Sequence, residues 1–232
     1  FKSNGHLELP NGGDIVDSTG TSVLGGTSGT GDANVWVETF DTSTPITDLP
    51  AIASSVEYDA EGNIIALFAM SNTSDNSSYT AVGKYTSAGT KIWTVRFSSD
   101  AFNTDGWGLA VDNNDGSMYV AGKIGGNTAP HYKSILTKLS GTDGSIKWSQ
   151  TYDFGVQITS SVVDVASDGN PVVVGYAEDT DLNADHITTT KIDKTDGSVI
   201  WARQINGQED EEAYGMAVGS SGEIVVDRKS VV

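Results

Sequence analysis

Lys191-Ile192-Asp193-Lys194-Thr195-Asp196-Gly197-Ser198-Val199-Ile200-Trp201 decides the fold. A lysine and an apolar residue end one β segment, Asp-Gly marks a hairpin turn, and an apolar run reaching tryptophan opens the next segment. The same text recurs from Lys138-Leu139 through Gly144 to Trp148, and from Lys84-Tyr85 through Gly89 to Trp93. Trp36 extends the tryptophan series, with steps of 57, 55 and 53 residues along Trp36, Trp93, Trp148 and Trp201. Phe40, Phe97, Tyr152 and Ile205 follow these tryptophans at a constant offset of four residues. Gly62, Gly116, Gly169 and Gly222 form a further register with steps of 54, 53 and 53. Registers that share one period define a structural repeat, and the repeat sets the architecture.

Each repeat reads as four short β segments. In the second they span roughly Gly106–Val111, Ser117–Gly122, Lys133–Leu139 and Ser145–Tyr152, separated by Asn113-Asn114-Asp115-Gly116 and Thr142-Asp143-Gly144. Ile64–Met70 and Val172–Tyr176 are nearly continuous apolar runs, the pattern of strands covered on both faces. Ile92, Thr94 and Arg96 alternate with Trp93, Val95 and Phe97, the pattern of a strand with one covered face. Four antiparallel strands repeated about every 53 residues predict an all-β chain of β-propeller blades, with the tryptophans filling the space between blades. From Asn34, the registers give one outer strand, three complete blades and a fourth begun at Glu223-Ile224-Val225-Val226, so the propeller is expected to be incomplete.

Composition bounds function. The 232 residues carry 13 basic and 31 acidic side chains, a net charge of −18, which excludes phosphate backbones and anionic lipid surfaces as general partners. With no cysteine, the chain has no disulfide, thiolate nucleophile or Cys-ligated metal. No apolar run approaches the ~18 residues a membrane-spanning helix needs, so no membrane insertion is expected.

At Gly108-Leu109-Ala110-Val111-Asp112, at Met118-Tyr119-Val120-Ala121-Gly122 and at Gly215-Met216-Ala217-Val218, the blades resemble the bacterial β-propeller repeat called SBBP. The Gly144 to Trp148 and Gly197 to Trp201 spacing is also similar to the quinoprotein repeat of pyrroloquinoline-quinone dehydrogenases. That resemblance would imply a quinone cofactor with calcium-binding carboxylates. However, Asp143 and Asp196 stand where the quinoprotein motif has Thr, and no calcium set can be mapped. The leader, Phe1 with Gly5-His6-Leu7-Glu8-Leu9-Pro10-Asn11-Gly12-Gly13-Asp14-Ile15 followed by Asp17-Ser18-Thr19-Gly20, resembles a segment of marine phage virion and tail-fibre proteins.

The resulting division is 1–33 as a β-hairpin and Gly-rich linker, 34–226 as blades, and 227–232 as a non-native tail. The tail Asp227-Arg228-Lys229-Ser230-Val231-Val232 breaks the apolar register expected after Val226. The chain opens without Met, and an unclosed arc of blades is expected to associate through its open edges. The resemblances imply a non-enzymatic virion structural or receptor-binding platform, whose partners are other virion proteins or a host surface glycan or protein. The alternatives are a secreted bacterial binding propeller and, further off, a quinoprotein-type oxidoreductase or a glycosidase.

No catalytic, cofactor-binding or metal residue is assigned from the sequence. His6, His131 and His186 are isolated and read as solvated. Asp179-Thr180-Asp181-Leu182-Asn183-Ala184-Asp185 alternates oxygen ligands, but Ala184 and Thr190 occupy the places where a calcium loop needs Gly and Glu, so an inter-strand loop is expected. Glu209-Asp210-Glu211-Glu212 reads as a solvated charge run before an inner strand. Trp107 lies outside the tryptophan register; it could face a central channel, but ordinary core is favoured over a site. Binding is expected on the inter-strand loops Ser71–Ser78, Lys123–Lys133 and Ala177–His186, which vary without disturbing the scaffold.

Overall fold

In the computed structural model, residues 51–72, 77–97, 103–125, 132–152, 158–179, 184–205 and 210–231 are described. The chain divides into two compact units, one of Phe1–Asp41 with Ala88–Thr90 and the other of Thr42–Ser87 with Lys91–Val232. The blades belong to the second. The leader at 1–33, the outer strand expected at Asn34–Phe40, and His6 and His131 lie outside the described residues.

Among the described residues, fourteen strands form the repeat. Blade one contains β1 (Ala51–Tyr58), β2 (Ile64–Asn72), β3 (Ser77–Tyr85) and β4 (Lys91–Phe97). Blade two contains β5 (Asn103–Val111), β6 (Met118–Gly125), β7 (Lys133–Leu139) and β8 (Ile146–Tyr152). Blade three contains β9 (Ile158–Val165), β10 (Pro171–Asp179), β11 (Ala184–Ile192) and β12 (Val199–Ile205). β13 (Asp210–Val218) and β14 (Ile224–Val231) form a two-stranded sheet, while the other three sheets are antiparallel meanders in chain order. The chain is therefore all-β, and its described residues make three whole propeller blades and the two inner strands of a fourth.

The apolar runs are covered on both faces, as their text requires. Ile65 and Leu67 of β2 and Val172 and Val174 of β10 are fully buried. One core cluster joins blades one and two through Leu67, Val82, Leu109 and Met118, with Trp93 and Phe97 packed against it. A second joins blades two and three through Tyr119, Leu136, Tyr152 and Val173, with Trp148 against it. The third, between blade three and β13–β14, is smaller and holds Val174, Ile187 and Ala213. It lacks an outer-strand aromatic, and Ile205, which follows Trp201 as Tyr152 follows Trp148, is 41% exposed.

Several expectations are corrected. His186 is 2% exposed on β11, because its strand lies inside the blade stack rather than in a loop. Asp179 and Ala184 are paired at the end of the β10–β11 ladder, so the stretch outside strands shrinks to 180–183, which is not described. Asp210, Glu211 and Glu212 belong to β13, and Glu211 is buried, because the inner strand begins earlier than its apolar text. β14 also runs through Val226 without interruption, pairing Asp227 with Gly215 and Val231 with Asp210.

Candidate functional site

Two sets of residues recur from blade to blade, one at the outer strands and one at the inner strands. At the outer set, the indole N–H of Trp93 donates to the Gly141 carbonyl at 3.3 Å, and the Lys84 ammonium donates to the same oxygen at 2.9 Å. One blade on, Trp148 Nε1 and Lys138 Nζ both donate to the Lys194 carbonyl, each at 3.1 Å. Each acceptor lies in the outer turn of the following blade. The lysine and tryptophan of one blade thus grip the turn that precedes the next blade's tryptophan. Each lysine also meets a carboxylate of its own blade: Lys84 with Asp59 at 2.8 Å, Lys138 with Asp115 at 3.7 Å and Lys191 with Asp168 at 2.8 Å.

The turn glycine completes this clasp. Gly197 has φ +79°, and a Cβ there would lie 3.0 Å from the Trp148 ring and 2.6 Å from Gln150 Cγ. Only glycine satisfies both the left-handed backbone and the approaching ring. Tyr152 adds a 2.8 Å bond from its hydroxyl to the Gly197 carbonyl, and burial, assisted by the Asp196 charge, pushes the phenol pKa upward. Trp93 and Trp148 therefore lie between blades, as their spacing predicts, while Trp36 lies outside the described residues. Their role is structural.

The inner set is written in the backbone. β1, β5, β9 and β13 each carry a β-bulge, located by register shifts across Ala53/Ser55 and Gly106/Gly108, opposite Val174/Gly175, and across Ala213/Gly215. The extra residues are Ser54, Trp107, Ser161 and Tyr214, spaced 53, 54 and 53 apart. A bulge bends its strand and re-aims a side chain. Trp107 is 48% exposed and Tyr214 62% exposed, which replaces the core reading of Trp107. Ser54 instead ties blades together, its hydroxyl donating to the Gly106 carbonyl at 3.1 Å.

Trp107 and Tyr214 line one cavity of about 530 Å³ with Ser55, Glu57, Asn113 and Asp164. Its size is that of a small-ligand site, and its walls come from the inner strands of all four sheets. Asp164 accepts main-chain N–H bonds from Val165 at 2.7 Å and from Val218 on β13 at 2.9 Å, which fixes its carboxylate between blades three and four. Burial raises the Glu57 pKa, and the Asp164 charge raises it further. None of the described residues lining the cavity is Lys, Arg or His. The place is a concave, negatively charged mouth bearing two exposed rings.

Two further hollows differ from it in character. A polar one of about 460 Å³ between the inner turns of blades one and two includes Asp59, but there the carboxylate is already matched by Lys84. Burial opposes ionisation of Asp59, yet hydrogen bonds from Lys84 and Asn63 hold its pKa below the usual carboxylate value. The other, about 220 Å³, is walled mainly by apolar atoms at Phe97, Val120, Ile124 and Ile135. Among the described residues, no group of three or more His, Cys, Asp or Glu side chains could hold a metal ion.

Sequence periodicity missed the inner set because its residue types differ from blade to blade. A signal existed nonetheless. Trp107-Gly108-Leu109-Ala110-Val111 and Tyr214-Gly215-Met216-Ala217-Val218 share an aromatic-Gly-x-Ala-Val pattern. The inter-strand loops expected to bind lie mostly at 73–76, 126–131 and 180–183, outside the described residues.

Meandering four-stranded blades around an inner-strand mouth define a β-propeller repeat protein. Residues 28–232 match the family model PQQ_2, described as outer membrane protein assembly factor BamB, and the chain belongs to that family. Among solved structures, it is similar to the β-propeller domain of the Trilobed protease from Pyrococcus furiosus, described as having an open velcro topology, at 9% identity and a TM-score of 0.43. That match covers 78% of this chain and 58% of the other. No curated protein sequence matches the chain.

Proposed function

We propose that this chain is a non-enzymatic binding propeller that presents the inner-strand mouth to a surface glycan or protein. The bulge register carries the reading: four aligned bulges turn Trp107 and Tyr214 out of the sheets into one cavity, where they stabilise no core. Exposed aromatic rings around a concave polar site supply contact area at low conformational cost. The finer setting, a receptor-binding or structural platform of a phage virion, rests on the leader text at Phe1–Gly20; a secreted bacterial binding protein is its alternative. Association through open blade edges belongs to the same proposal; among the described residues, β14 is hydrogen-bonded to β13 alone.

A second reading, glycoside hydrolysis, has one observation in its favour. Glu57 is pushed toward the neutral acid beside Asp164, the kind of division that acid and base roles require. Against it, both Asp164 oxygens are engaged by main-chain N–H groups. An anionic quinone cofactor fits the mouth poorly, since its carboxylates would repel it and none of its described lining residues is a cation that would offset them.

The test is binding of the whole chain to glycan and cell-surface protein arrays, alongside the double variant Trp107→Ala/Tyr214→Ala. Saturable binding that the double variant loses, without release of product from the captured ligand, supports the proposal. Binding unaffected by the double variant, or turnover of the ligand, overturns it.

A further inference from the structure

We propose that the inner-strand mouth binds an organic ammonium group, held against the rings of Trp107 and Tyr214 with Glu57 as counter-charge. The inference rests on the binding reading above and names the ligand chemistry that this site selects.

Charge balance comes first. Glu57 and Asp164 line the same cavity, and its described lining residues include no cation. Asp164 has its oxygens engaged by the Val165 and Val218 amides, so it stays in place as a fixed negative charge. Glu57 forms no ion pair among the described residues. Two other carboxylates of these blades are matched, the buried Asp59 by Lys84 and Asp105 by Lys123 at 3.6 Å. An uncompensated carboxylate beside a fixed like charge is a state that a bound cation relieves.

Ring placement is the second, independent observation. Aromatic faces attract ammonium groups through the ring quadrupole, most strongly for Trp. The chain already does this locally. Lys123 Nζ stands 5.7 Å from the Trp107 centroid and 4.6 Å from that of Tyr132, tethered to Asp105. Lys123 does not line the cavity, so the mouth itself retains exposed ring surface and unmatched charge. A neutral sugar would stack on the rings but would leave Glu57 uncompensated. An anion would be repelled.

Choline and 3,3-dimethylbutan-1-ol have nearly the same shape and differ by one positive charge, so together they isolate the ionic contribution. The experiment is titration of each into the whole chain at constant ionic strength, followed by ligand-observed NMR, for the parent and for Trp107→Ala and Glu57→Gln. Circular dichroism of each variant checks that the fold is kept. The expected result is saturable choline binding, with the alcohol and each variant weaker by about three- to tenfold. Lowering the pH until Glu57 is neutral should weaken choline more in the parent than in Glu57→Gln. Equal binding of the alcohol, indifference to either substitution, or no saturation below about 100 mM overturns the proposal. If choline fails while Trp107→Ala/Tyr214→Ala still abolishes array binding, only the ligand class falls and the binding reading stands.

Discussion

Trp148 and Trp107 belong to the same blade and have opposite fates. Trp148 sits on β8 paired with Lys138, beside the register shift that leaves Lys147 unpaired; it packs on a positive-φ glycine and donates its indole N–H across to blade three. Trp107 is the extra residue of a bulge in β5, and half of its surface stays exposed. Residue type cannot explain the difference. Backbone register does: Trp148 keeps its partner Lys138 across the ladder and presents its ring to the neighbouring blade, whereas Trp107 is itself the unpaired residue of its bulge and its ring is turned toward the mouth. One tryptophan holds the propeller together, and the other is available for a ligand.

The largest effect should come from attacking the clasp at its turn. Gly197→Val forces a β-branched residue into a left-handed backbone beneath the Trp148 ring, at an expected cost of about 3 kcal/mol in chemical unfolding. Gly116→Ala is its control. That glycine has φ +73° but nothing within 4 Å of the added Cβ, so about 1 kcal/mol of backbone cost alone should appear. Equal losses in the two variants would mean that the ring contact contributes nothing.

Removing the ring itself should cost somewhat less. Trp148→Ala loses partly buried packing and the bond to Lys194, an expected 2–3 kcal/mol, roughly. Trp201→Ala should cost about 1 kcal/mol or less, because the described residues place no following outer turn beneath it. A Trp201→Ala loss as large as that of Trp148→Ala would show that a partner turn covers it in solution.

Acid should weaken the clasp through Asp59. Its folded pKa is lowered, so the stability it contributes is fully present above the unfolded carboxylate value and is lost as pH falls through the folded one. Urea midpoints of the parent should therefore drop below about pH 4, and Asp59→Asn should remove part of that slope. Glu57 works in the opposite sense: its raised pKa means that acid relieves a cost. A parent midpoint that stays flat from neutral pH down to about pH 2 would exclude the Lys84–Asp59 pair as a source of stability.

The smallest stability effect is expected at Trp107. Trp107→Ala should stay within about 0.5 kcal/mol of the parent while weakening ligand binding. A loss comparable to that of Trp148→Ala would return Trp107 to the core and end the comparison.

The fold was largely legible because propeller packing repeats chemistry as well as shape. Lys138, Gly144 and Trp148 recur in type because each makes the same contact at each interface, and β7 spans Lys133–Leu139 as its text predicts. Strand ends were less legible at β6 and β13, which extend to Gly125 and begin at Asp210 because backbone pairing continues where apolar side chains stop. His186 read as solvated because polarity in the text says nothing about neighbouring sheets; Val172–Ala177 across the ladder and the adjoining blade bury it.

By itself, the sequence determined the period, the all-β class and the residues that lock one blade to the next. These follow from local hydrophobic pattern and turn chemistry, which short stretches encode. Only the tertiary structure decided which side chains share a mouth. Ser54, Trp107, Ser161 and Tyr214 have no common chemistry and lie 53 or 54 residues apart. What unites them is one unpaired residue in each inner strand, and an unpaired residue exists only once its partner strand has fixed the register.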